Sequence, residues 1–76
     1  MDVQKVLVCI RDQNKVMQIS LLLDLLQELG GAIQVKRNLY YQYWAEPIAD
    51  ACNQDIEAAK TIKKRILELV STQEMP

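Results

Sequence analysis

Gly30-Gly31-Ala32-Ile33-Gln34-Val35-Lys36-Arg37-Asn38-Leu39-Tyr40-Tyr41-Gln42-Tyr43-Trp44 is the stretch on which the fold turns. Gly30 follows Leu29 where a left-handed C′ residue is wanted, so the preceding helix is predicted to stop there. Beyond the glycines, Ile33 to Lys36 and Leu39 to Trp44 are rich in branched and aromatic residues and read as two strands. A two-residue turn at Arg37-Asn38 sets Val35 against Tyr40 and Ile33 against Gln42. Ile33, Val35, Tyr40 and Trp44 then line a core, while Gln34, Lys36, Leu39, Tyr41 and Tyr43 share the opposite face. Arg-Asn is a weak turn, because Arg resists a positive φ. The alternative is one continuous helix from Ala32 to Trp44.

Working outward, Lys15 to Leu29 is the clearest helix, with Ile19, Leu22, Leu26 and Leu29 at helical spacing and Leu21, Leu23 and Leu25 widening the apolar sector. Asp12 or Asn14 is placed to cap its first turn. So much leucine exceeds a one-sided stripe, so the helix is expected to be buried on two sides, by a sheet and by a second copy of the chain. Leu21, Leu22, Leu25 and Leu29 are the candidates for self-association. Val3 to Ile10 fits either a helical face or a buried strand, and its branched content favours the strand. Pro47 suits a first helical turn. Ile48, Cys52, Ile56, Ala59, Ile62, Ile66 and Val70 then continue at helical spacing, with a break into two helices at Asp55 as a further option. Ser71 to Pro76 lacks an apolar pattern and is expected to fray. The expected fold is therefore α+β, a small β-α-β-β-α domain with a Leu-rich helix on a short antiparallel sheet. An all-α three-helix bundle is the alternative.

Composition narrows the function classes. The 76 residues make one domain, half apolar and a quarter charged, with an expected stability of only ~4–11 kcal/mol. The longest unbroken apolar run, Val6 to Ile10, is far short of the roughly 20 residues of a bilayer span, so a soluble, cytoplasmic protein without a membrane partner is expected. Histidine is absent, which removes imidazole bases, His-paired nucleophiles and His-bearing zinc sites. Cys9 and Cys52 have no CxxC partner and read as two small buried hydrophobes. Asp24/Glu28 and Glu46/Asp50, each four apart, read as solvated surface charge rather than an acid–base pair. No enzyme, metal, cofactor or small-molecule substrate is expected.

Net charge is −1, yet two segments lack acids: Leu29 to Ala45, where Lys36 and Arg37 lie among the aromatics, and Ala58 to Leu67, which holds Lys60, Lys63, Lys64 and Arg65. With Gln34, Tyr41 and Tyr43 these basic residues are the candidate partner-binding set. Aromatics beside cations serve either as protein-interface anchors or as base-stacking platforms.

Leu25-Leu26-Gln27-Glu28-Leu29-Gly30-Gly31, then Ile33 to Trp44, then Ile62-Lys63-Lys64-Arg65 resemble the latter part of a LAGLIDADG homing-endonuclease domain. There, a helix ending in Gly-Gly leads into an extended basic hairpin and then into Lys-bearing helices. The likeness covers about residues 6 to 70 by residue type alone. The helix that would pair the two halves and carry the metal-binding acid has no counterpart upstream of Val6. The resemblance therefore implies DNA binding without cleavage. Two functions are expected from the sequence: a non-enzymatic interaction or regulatory protein, homodimeric and binding a further protein; or, alternatively, a nucleic-acid-binding module using the basic aromatic hairpin.

Overall fold

The computed structural model describes residues 2–73 and is helical almost throughout, with no strand among the described residues. Helix α1 spans Val3–Ile10, α2 spans Lys15–Tyr43 and α3 spans Glu46–Gln73. The α+β expectation is thereby corrected to the all-α alternative. Asp2 caps α1 by accepting from the Lys5 N–H at 3.2 Å, and Asn14 caps α2 by accepting from the Met17 N–H at 2.8 Å. The connection between these two helices is pinned from inside. The buried Gln18 amide donates to the Gln13 carbonyl at 2.7 Å and to the Arg11 carbonyl at 3.4 Å.

Gly30 does not end a helix. Neither glycine has a positive φ, and α2 runs through both to Tyr43. The hydrophobic spacing explains why. Leu22, Leu25, Leu29, Ile33 and Tyr40 keep to one face of α2 across the glycines, opposite the matching face of α3. Two helical glycines cost about 1 kcal/mol each relative to alanine, less than the packing lost if the second half of α2 came away. The left-handed residue comes fourteen positions later than predicted from the sequence, at Trp44 (φ 53°, ψ 33°), whose N–H donates to the Tyr40 carbonyl at 2.7 Å. The Ala45 carbonyl then accepts from the Ile48 N–H at 3.0 Å, starting α3 with Pro47 in its first turn.

α2 and α3 form a long antiparallel hairpin. Its core is Leu22, Leu29, Ala58, Ala59, Ile62 and Leu69, with Leu22 and Ile62 fully buried. On α3 the inward series Cys52, Asp55, Ala59, Ile62, Ile66, Leu69 steps by threes and fours, the seam of a left-handed helix pair. α3 is unbroken at Asp55 and extends through Ser71 to Gln73. Residues 74–76 of the expected tail lie outside the described residues. α1 covers one flank, its Val3, Leu7 and Ile10 packing on the core. The opposite flank has no third helix among the described residues. There Val16 and Leu23, seven apart on α2, and Leu67 on α3 are exposed, with Leu23 at 50%. The molecule measures 51 × 21 × 14 Å, and its radius of gyration of 14.6 Å exceeds the ~11 Å of a compact chain this long.

Other details depart from the sequence reading. Val35 and Trp44, predicted core, are exposed at 58% and 68%. Arg37-Asn38 lies within α2 and makes no turn. Cys52 is buried as expected, its Sγ 3.9 Å from the Ile33 carbonyl, but Cys9 is exposed. By length and composition α2 is also apolar enough to cross a membrane, a property that core helices of soluble proteins share.

Candidate functional site

The hairpin end of α2 and α3 gathers the aromatic residues. Tyr40, Tyr41 and Trp44 pack edge-on, with Tyr40–Trp44 centroids 5.5 Å apart and Tyr41–Trp44 centroids 6.4 Å apart. Trp44 reaches this position through its left-handed backbone, which costs roughly 1–2 kcal/mol for a residue with a Cβ. Edge-on ring contacts offset part of that cost, at about 0.5–1.5 kcal/mol each. Beside the rings, Arg37, Tyr40 and Tyr41 of α2 face Cys52, Asn53 and Ile56 of α3 across a cleft of about 260 Å³. Tyr43 is exposed on the same end of the molecule.

The partner-binding candidates separate into groups. Gln34 and Arg37 are exposed on α2, and Arg37 has no ion-pair partner among the described residues. Lys36 turns instead into the α2/α3 seam, where its Nζ lies 2.6 Å from the Asp55 carboxylate, itself only 13% exposed. Lys60 is paired with Glu57 at 3.3 Å and Arg65 with Glu68 at 3.1 Å, while Lys63 and Lys64 are exposed. Lys36–Asp55 fixes the register, so Lys63 lies about 13 Å further along α3 than the level of Arg37. The two basic segments therefore remain separate. Asp24, Glu28, Glu46 and Asp50 are all exposed.

Of the self-association candidates, Leu22 and Leu29 are buried inside the chain, Leu25 packs on the core, and Leu21 is exposed. The uncovered flank instead presents Val16, Leu23 and Leu67. Sequence reasoning gave no such role to three residues that matter: Gln18, which anchors the α1–α2 connection, Asp55, expected only as a helix break, and Ile56, expected only in the apolar series of α3. Asp55 was detectable, since it falls on the inward spacing of α3 and an acid there demands a cation opposite. Among the described residues no group of three or more His, Cys, Asp or Glu is placed to hold a metal. No protein-family model, curated protein or solved structure matches the chain.

The extended hairpin that the LAGLIDADG resemblance called for over Ile33 to Trp44 is replaced here by the last turns of α2 and its cap at Trp44. What the geometry defines is a helical hairpin with a partly covered core, one open apolar flank and an aromatic end.

Proposed function

We propose that this chain is a small non-enzymatic interaction protein that binds a macromolecular partner and acts as a homodimer. One observation carries the dimer. The chain exposes 5633 Å², whereas a compact monomer of 8.7 kDa exposes about 4700 Å². Val16, Leu23 and Leu67, with the half-buried Ile19, Leu26 and Ile66 between them, supply an apolar patch for the task. Two such flanks face to face make a four-helix arrangement, the common way for helical hairpins to finish a core.

Asp24 and Glu28, exposed midway along α2, support an aqueous setting over a membrane one for that helix, because a carboxylate at mid-bilayer costs about 2.5–3.5 kcal/mol. A nucleic-acid module has less support, since Lys36, Lys60 and Arg65 each face a carboxylate and the exposed Lys63 stands about 13 Å along the hairpin from the level of Arg37. Size-exclusion chromatography with light scattering tests the dimer: the mass should be twice that of the chain at micromolar concentration. A strict monomer at high micromolar concentration overturns the reading.

A further inference from the structure

We propose that the cleft at the aromatic end of the hairpin is a docking site for a partner-protein segment that presents an apolar side chain next to a carboxylate. The inference rests on the reading of this chain as a binding protein and names what it binds. Four observations converge on it. The cleft holds a guanidinium, Arg37, without an ion-pair partner among the described residues, and no acid among them lines it. Tyr40, Tyr41, Ala49, Cys52 and Ile56 line it beside Arg37 and Asn53, so an apolar group that enters meets mostly apolar and ring carbon. At about 260 Å³ it falls below the roughly 300–1,000 Å³ of small-molecule sites, which suits one inserted side chain better than a free ligand. Lastly, Trp44 stands beside it in a strained left-handed conformation, 68% exposed, with little of its surface used inside the chain. Strain retained at an exposed aromatic residue is a mark of functional positions.

Charge selects among partners. A guanidinium takes a carboxylate through two parallel N–H···O bonds, which fixes orientation as well as sign. The neighbouring cation Lys36 is already paired within the chain, and Lys63 lies about 13 Å further along α3, so the cleft offers one firm contact to an anion rather than the row of phosphate contacts that nucleic acid needs. Tyrosine, tryptophan and arginine grouped at one protruding end are also the residue types that dominate protein-interface energetics.

Trp44 is the sole tryptophan, so its fluorescence reports on the cleft. The full chain is titrated with a short blocked peptide of alternating leucine and glutamate, with the same peptide carrying lysine for glutamate, and with an oligothymidylate. Saturable binding of the acidic peptide alone is expected, weakened about tenfold or more by Arg37→Glu and less by Arg37→Lys. Tyr41→Ala, at an exposed position, should weaken it without changing the helical circular dichroism. Equal binding of the lysine peptide, indifference to Arg37→Glu, or tighter binding of the oligothymidylate overturns the proposal, as does the absence of any binding. Light scattering on Arg37→Glu separates this from the dimer reading: the variant should keep the mass of the parent chain, because Arg37, on the same stripe of α2, lies about 21 Å along the axis from Leu23 at the centre of the flank.

Discussion

Gly30 and Gly31 sit mid-helix with ordinary negative φ, and a Cβ built on either meets nothing within 4 Å. Within the chain, then, alanine fits at both positions and removes only the conformational freedom of the unfolded state. Gly31→Ala should stabilise the protein by about 0.5–1 kcal/mol, read as a higher urea midpoint at unchanged slope. A loss of stability instead would mean that something outside the chain approaches the bare backbone there. The buried residues behave in the opposite way. Ile62 is fully buried at the centre of the α2/α3 seam, and truncating such a side chain to alanine costs about 2–5 kcal/mol. Against a total of ~4–11 kcal/mol, Ile62→Ala should remove a large share of the stability, read as a lower urea midpoint by circular dichroism.

Between elements, Lys36–Asp55 is the polar contact that sets how α2 and α3 slide past each other. Its members are unequal, with Asp55 at 13% exposure and Lys36 at 35%. Lys36→Met strands the more buried carboxylate and should cost about 2 kcal/mol, whereas Asp55→Asn leaves a lysine that reaches water and should cost about 1 kcal/mol. Replacing both, Lys36→Met with Asp55→Leu, should restore stability to near the parent value, since a well-packed apolar pair often equals an ion pair. Urea unfolding of these three variants checks all three figures, and Asp55→Leu alone completes the double-mutant cycle. This pair also shows where the sequence is readable. Lys15 to Leu29 and Ile48 to Val70 repeat their apolar residues at helical spacing, so both helices, and the Asn14 cap, are legible from residues alone. Ile33 to Trp44 is not, because its branched and aromatic composition favours a strand while its helical series contains a lysine. Only the acid across the seam makes Lys36 an inward residue. Val3 to Ile10 fails for a related reason: eight residues with both periodicities present are decided by the core they join. In the site, Arg37, Tyr41 and Tyr43 are legible as exposed cations and aromatics, but Asn53 and Ile56 reach the cleft only through the hairpin pairing.

At the scale of the molecule, shape and concentration are linked. An elongated hairpin of 51 Å with one bare flank folds alone only by leaving Leu23, Val16 and Leu67 in water. If pairing covers them, the folded state is favoured by mass action and the unfolded state is not. Tenfold dilution then removes about 1.4 kcal/mol per dimer. Spread over the unfolding entropy of two chains, that lowers the thermal midpoint by roughly 4 °C. The parent chain should show this slope across a hundredfold range of concentration, followed by circular dichroism. Leu23→Glu should flatten it, because a carboxylate at the centre of the flank repels its counterpart in the second copy and leaves the intrachain core untouched. A midpoint that ignores concentration in the parent chain would mean that the flank stays wet. The surface beyond a compact monomer would then be available to a different protein, one bound in place of the second copy.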